Sequence, residues 1–304
     1  MLKKTLIALL LSCSASAFAL PFSSQHAIVF EEESGKVLFE KNAEAVVPIA
    51  SITKLMTAMV MLDAKQDMNE LISIDETDVD TLKFSSSRVP VGVTLPRKDI
   101  LQLALMSSDN RAAAALARTY PGGKPAFVAA VKEKLLALQM TNTTIEEPTG
   151  LSPYNRSTAA DLVKMATAAS YYPEISHLTT ETDEAFDING HPVQYRNTNR
   201  LVGKKGWDIL LSKTGFTREA GRCLVMRVQS AGKHVIVVLL NAKESAQRMV
   251  DAENVHRFLT GQPMYAAAPH PMRVSVRKTK QSRGGMVFVK AKGSTKIHKK
   301  RHTT

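Results

Sequence analysis

The sequence predicts a mixed α/β (α+β) fold: one antiparallel sheet closed by distant segments of the chain, carrying a mainly helical lobe. Three observations lead there. Short apolar runs stand near the start, at residues 27–30 and 37–39, joined through the turn-forming pair Ser34-Gly35. The middle of the chain carries apolar residues at helical spacing. Near the end, residues 209–211, 224–228 and 235–240 are again short apolar runs separated by Gly-containing turns, the pattern of strands.

The elements follow in order. Residues 49–63 come directly after Pro48, and their apolar positions are too dense for one face, so a buried helix is expected. Residues 98–118 predict two helices on either side of Ser107-Ser108-Asp109-Asn110, and residues 127–138 and 159–169 predict two more. Residues 243–259 return to helical spacing, with Ala246, Met249, Val250 and Val255 expected to face inward and Gly261 to end the helix.

The two ends have a different character. Lys3 and Lys4, the mostly apolar residues 5–12 and the small-x-small site Ala17-Phe18-Ala19 form a Sec-type signal peptide, so residues 1–19 are expected to be removed and the chain exported to the periplasm. A lipoprotein signal at Leu10-Leu11-Ser12-Cys13 is disfavoured by Leu11 and by the short apolar run. Once the leader is removed, Cys223 is the sole cysteine, which excludes an internal disulfide and leaves stability to a packed core. Within its apolar run, Cys223 is expected to be a small buried hydrophobe.

Of the 40 Lys and Arg, eleven lie in residues 265–304, which contain no Asp or Glu; the rest, 29 basic against 28 acidic, is close to neutral. Residues 20–264 are therefore expected to form the catalytic domain. Residues 265–304 are expected to form a basic flexible tail, with a short strand at 286–289, either attracted to an anionic wall or membrane surface or merely aiding solubility. No specific nucleic acid is expected as a partner. His177, His191, His234 and His256 are isolated, and no zinc-like His/Cys/Glu cluster is present.

Three short motifs carry chemistry. In Ser51-Ile52-Thr53-Lys54 a helix brings the Lys54 amine beside the Ser51 hydroxyl. Lysine acts as a base only when neutral, so burial has to lower its pKa. A helix start at Ser51 also aims a backbone N–H and the positive helix end at a developing oxyanion. Ser108-Asp109-Asn110 supplies a hydroxyl and an amide on a loop between helices, although those residue types are also ordinary helix caps. Lys213-Thr214-Gly215, at the end of a predicted strand, offers a charge and a hydroxyl to a carboxylate, and Gly215 lets an extended ligand lie close. Each motif alone is weak. Their order and their separations of 57 and 105 residues match the active-site set of penicillin-binding proteins and related β-lactamases.

On these motifs, together with Thr149-Gly150-Leu151, residues 157–162 and residues 220–224, the sequence resembles the low-molecular-weight penicillin-binding D-alanyl-D-alanine peptidases over residues 27–259. Residues 107–111 and 213–217 are most similar to the endopeptidase branch of that family. The resemblance implies a five-stranded antiparallel sheet flanked by helices. It implies that Ser51 attacks a D-alanine carbonyl to form an acyl-enzyme, that Lys54 takes the serine proton, and that Ser108 helps return a proton to the leaving amine. Asn110 would hold the acyl-side amide. Lys213 and Thr214, with Thr217, would receive the leaving-side carboxylate beside Gly215, and the backbone N–H groups of Ser51 and Phe216 would form the oxyanion hole. It implies no metal or organic cofactor, peptidoglycan stem peptides as substrate and β-lactam antibiotics as covalent inhibitors.

Three rival activities remain open. Glu147-Pro148 resembles the deacylating glutamate of class A β-lactamases, but Leu151 stands where the partner asparagine is expected. A D-alanyl-D-alanine carboxypeptidase is the nearer rival; many add a β-domain and an amphipathic anchor, for which residues 265–304 leave no room. A non-catalytic wall- or penicillin-binding module is the rival of another class, and it would be expected to have lost a motif residue.

Overall fold

The computed structural model describes residues 22–265. The chain begins with β1 (His26–Glu31), β2 (Lys36–Lys41) and the short β3 (Val47–Pro48), then α1 (Thr53–Asp63), β4 (Leu71–Ser73) and β5 (Thr94–Pro96). The helical lobe continues with α2 (Arg97–Leu105), α3 (Asn110–Arg118), α4 (Gly123–Ala137), the short β6 (Arg156–Ser157), α5 (Ala159–Ala169) and α6 (Pro173–Thr180). A hairpin of β7 (Asp183–Ile188) and β8 (His191–Arg196) leads to β9 (Asp208–Thr217), β10 (Gly221–Ser230), β11 (Lys233–Ala242) and α7 (Ser245–Leu259).

The main sheet has five strands in the order β2-β1-β11-β10-β9, all neighbours antiparallel. β1 enters beside β11, with Ala27 opposite Leu239 and Val29 opposite Val237, so the first and last strands of the fold meet near its centre. The sheet is covered on both faces, which is why residues 235–240 are apolar at every position instead of alternating with polar ones. Ile28, Val225, Ile236, Val238 and Leu240 pack toward the helical lobe with α1 and α5. Ala27, Val29, Leu224, Val237 and Leu239 pack with Ala252 and Val255 of α7.

The resulting sheet and lobe agree with the fold expected from sequence. Several boundaries differ. The helix expected over residues 49–63 is broken: Ala50–Ile52 form a 3₁₀ turn and the α-helix starts at Thr53. β9 runs six residues past the apolar run at 209–211 and includes Lys213-Thr214-Gly215, because its partner β10 continues the ladder to Gly221.

The inward face of α7 also differs. Ala246 is exposed and Met249 and Val250 are only partly covered, whereas Arg248, Asp251, Ala252, Asn254 and Val255 are buried. Polar residues occupy that face because each has a partner. The Asp251 carboxylate accepts from Ser23 N (2.8 Å), Ser24 N (2.7 Å) and Ser24 Oγ (2.6 Å), and so ties the start of the described chain to α7.

Tyr265, expected to open the tail, is fastened to α7: its N–H donates to Asn254 Oδ1 at 2.8 Å, and its ring carries the Arg257 guanidinium. The leader (1–19), the remainder of the basic segment and its expected strand at 286–289 lie outside the described residues.

Asp251→Ala removes a charged acceptor from three donors on the α7 side of the sheet. It is expected to lower unfolding free energy by about 3 kcal/mol in urea titration, with covalent penicillin labelling of the folded protein unchanged. A variant as stable as the parent would show that the N-terminal tie contributes nothing.

Candidate active site

The chain reaches Ser51 through a strained corner. β3 pairs with β6, Ile49 N donates to Asn155 O at 3.1 Å, and Ala50 then takes φ +49°, a left-handed value rare for a side-chain-bearing residue. The corner turns Ser51 toward a cleft while Thr53 Oγ1 closes on Ala50 O at 2.8 Å. Two glycines make room for it. A Cβ on Gly150 would sit 2.0 Å from Ala50 O and 2.8 Å from Ser51 N, and one on Gly215 would sit 3.1 Å from Ser51 N. Backbone from the 149–151 loop and from β9 therefore presses directly on the nucleophile's turn.

Lys54 lies one helical turn on and is buried. Its Nζ is 2.8 Å from Ser51 Oγ, 2.7 Å from Asn110 Oδ1 and 2.7 Å from Thr149 O. As an ammonium it donates to all three. As a neutral amine it still donates to the amide and the carbonyl, leaving its lone pair for the Ser51 hydroxyl proton. Desolvation pulls its pKa down to about 8, against the opposing pull of Glu147, Asp109 and Asp80.

The second motif occupies the loop between α2 and α3. Ser108 has φ +61°, while Asp109 caps α3 by accepting from Ala112 N at 3.0 Å and takes a second hydrogen bond from Ser87 Oγ at 2.6 Å. The capping role and the functional one thus fall on different residues of the same tripeptide. Asn110, the first residue of α3, accepts from Lys54 and donates to Ser85 Oγ at 2.8 Å.

The third motif comes from β9, an edge strand. Lys213 is buried and its Nζ donates to Ser108 Oγ at 2.8 Å. Desolvation, with repulsion from Lys54 and Arg248, holds its pKa well below the usual lysine range. A carboxylate placed beside it would supply the missing counter-charge and favour the ammonium. Thr214 Oγ1 donates to Thr198 Oγ1 at 2.7 Å. Phe216 is 48% exposed and forms part of the cleft wall. Thr217, two residues past Gly215, lies next to the turn to β10: its hydroxyl oxygen accepts from Ala220 N at 3.1 Å, which leaves its O–H able to donate.

A cleft of about 580 Å³ joins Ser51, Ser108, Asn110, Thr214, Gly215 and Phe216, with Lys54 and Lys213 beneath. Sequence reading missed Ser85, Thr198, Arg200, Arg222 and Arg248, which share this lining. None belongs to the three catalytic motifs, although Arg222 falls within residues 220–224. The only available signal for the arginines was an excess of cations in segments flanking Lys213-Thr214-Gly215. Cys223 is fully buried, and burial pushes its thiol up to about 11.

Glu147 has a structural task. Its carboxylate accepts from Thr149 N, Gly150 N and Asn155 Nδ2 at 2.7, 2.7 and 3.0 Å, folding the loop that brings Thr149 O to Lys54. With its lone pairs taken by this loop, it does not present a second base to a water in the cleft. Among the described residues there is no group of His, Cys, Asp and Glu suited to a metal ion.

A serine hydroxyl against a buried, pKa-lowered lysine, on the floor of an open cleft lined with anion-binding groups, is the apparatus of a serine acyl-transfer enzyme. The sequence matches the D-alanyl-D-alanine carboxypeptidase family over residues 14–244, and the chain belongs to that family of serine peptidases. It is 48% identical over 243 residues to a D-alanyl-D-alanine endopeptidase of Pseudomonas aeruginosa, covering 79% of this chain and 78% of that one. To the enzyme of the same description from Escherichia coli it is 43% identical over 251 residues, 81% of each chain. The fold matches penicillin-binding protein D2 of Listeria monocytogenes in its ampicillin-bound form, with a TM-score of 0.69 and 29% identity over 80% of this chain and 99% of that one.

Four outcomes are expected. Acylation by penicillin should rise with pH as Lys54 loses its proton, approaching a plateau above about pH 8. Because this pKa is lower folded than unfolded, the burial penalty of the ammonium is felt fully below about pH 8 and is relieved as pH climbs toward 10.5, so this group makes stability rise with pH across that window. Lys54→Arg, which cannot deprotonate, should acylate about a thousandfold more slowly; a normal rate would reduce Lys54 to a structural charge. Gly150→Ala should drive the loop off the Ser51 turn, cutting acylation at least tenfold and lowering the melting temperature. Unchanged labelling kinetics would show that this close approach is dispensable.

Proposed function

We propose that the protein is a D-alanyl-D-alanine endopeptidase that hydrolyses the peptide cross-links of peptidoglycan through an acyl-enzyme on Ser51. The observation that carries the mechanism is the 2.8 Å contact between Lys54 Nζ and Ser51 Oγ beneath the cleft. Neutral Lys54 takes the Ser51 proton as Oγ attacks the carbonyl of a D-alanine residue. The backbone N–H groups of Ser51 and Phe216 receive the developing oxyanion. The proton taken by Lys54 is passed through Ser108, held by Lys213, to the departing amine, which leaves Lys54 neutral again. Water then attacks the ester, Lys54 accepts its proton and returns one to Ser51 Oγ, and the acyl-side stem peptide leaves with its D-alanine carboxylate free.

Lys213 and Thr214 face the leaving side, where a carboxylate next to the scissile bond gains both a charge and a hydroxyl. A terminal D-alanine offers such a carboxylate, and so does the diamino acid of a second stem peptide. The choice between them rests on the two endopeptidase relatives that exceed 40% identity, compared with 28% for the carboxypeptidase DacF of Bacillus subtilis.

β-Lactams enter the same cycle. Their opened ring stays attached after acylation and obstructs the hydrolytic water. With Glu147 committed to its loop, release is slow and the covalent complex accumulates. The leader pattern at Lys3 to Ala19 supports export to the periplasm, and the eleven cations of residues 265–304 support attraction to anionic wall or membrane surfaces.

With equal concentrations of a cross-linked dimer and a monomeric pentapeptide, kcat/KM should be higher for the dimer, and Ser51→Ala should abolish turnover of both. Faster release of free D-alanine from the pentapeptide, with the dimer intact, would transfer the assignment to a carboxypeptidase.

A further inference from the structure

Beside Phe216 the cleft holds a cation with no part in the steps above. Arg222 stands opposite Phe216 in the β9–β10 register, and its guanidinium carbon lies 3.5 Å from the centre of the Phe216 ring. Stacking on an aromatic face holds a guanidinium in one plane while its N–H edge stays free to donate. Its Nε is buried without a hydrogen-bond partner.

The surroundings favour an anion. Three arginines outside the cleft are neutralised, Arg97 by Glu70, Arg118 by Asp78 and Arg227 by Glu32, whereas Arg222 shares the cleft with two further arginines, Arg200 and Arg248. Among the described residues no Asp or Glu lines the cleft. Glu219, in the adjoining turn, is paired with Lys83. Beyond Arg222 the cleft runs to Ser245 and Ala246 at the start of α7, whose first turn contains no acidic residue and whose positive end adds to the same field.

Two anion sites in one cleft fit a ligand with two carboxylates. Lys213 and Thr214 form the first, close to Ser51. A single D-alanine leaving group has one carboxylate to offer. The leaving half of a cross-link has the carboxylate of its diamino acid and another at the end of its stem. We propose that Arg222, braced by Phe216, is a specificity-determining subsite for a second carboxylate on the leaving stem peptide; this rests on the endopeptidase reading above.

The test separates the subsite from that reading. A stem peptide corresponding to the leaving half, and the same peptide amidated at its C-terminus, compete with a fluorescent penicillin for the wild-type protein, Arg222→Gln and Arg222→Lys. The free acid should protect wild type about tenfold better than the amide. That ratio should fall to near unity in Arg222→Gln and be partly retained in Arg222→Lys, with uncompeted penicillin acylation within about twofold of wild type. In turnover, Arg222→Gln should lower kcat/KM about tenfold for the cross-linked dimer and leave D-alanine release from the pentapeptide unaltered. An undiminished acid-to-amide ratio in Arg222→Gln overturns the proposal. So does an equal loss on penicillin, dimer and pentapeptide, which would make Arg222 a support for Phe216. If the wild-type protein leaves the dimer intact, the endopeptidase reading fails, and the competition ratio still decides the subsite.

Discussion

A lysine amine taken out of water is the constraint around which the catalytic half of this protein is arranged. Burying Lys54 is unfavourable unless its hydrogens find acceptors, and the fold supplies them from three separate places: Ser51 on its own turn, Asn110 at the start of α3 and Thr149 on a loop far along the chain. Each supplier needs its own support. Asn110 is held by Ser85, and the loop of Thr149 is held by the Glu147 carboxylate. Gly150 and Gly215 lack the side chains that would keep this backbone away from Ser51. The same desolvation that makes the arrangement demanding lowers the Lys54 pKa and makes it a base.

The leaving side uses the same physics with a different outcome. Lys213 is buried near Lys54 and Arg248, and it donates to Ser108. Repulsion and desolvation leave its ammonium short of negative charge, so an incoming carboxylate is bound both for its geometry and for the charge it supplies. Because β9 is an edge strand, an extended peptide can lie along it. Its other neighbour, β10, contributes Arg222 to the same wall. The groups proposed to bind the leaving side, Lys213, Thr214 and Arg222, thus all come from one hairpin of the sheet.

Much of the fold was legible in the chain. Strands buried on both faces leave unbroken apolar runs, so residues 224–228 and 235–240 announce themselves, as does the β1–β2 hairpin at Gly35, which has φ +65°. The β7–β8 hairpin was missed although Asn189-Gly190, both at positive φ, sits between the alternating apolar residues Phe186, Ile188, Val193 and Tyr195. An Asn-Gly pair between alternating apolar residues is a strong local hairpin signal. The inward face of α7 could not be read from hydrophobicity, because Arg248 and Asp251 are buried through partners remote in sequence.

By itself the sequence determined the local chemistry: a serine three residues before a lysine, a cap-forming Ser-Asp-Asn loop, a Lys-Thr-Gly segment on a strand, and the apolar runs that form the core. Only the tertiary structure decided which of these groups meet. Lys54 and Thr149 are 95 residues apart, and Ser108 and Lys213 are 105 apart. It also brought three arginines, Arg200, Arg222 and Arg248, to one cleft. Local spacing carries information across one helical turn or one strand, whereas desolvation and charge compensation depend on contacts between distant segments that exist only once the core has closed.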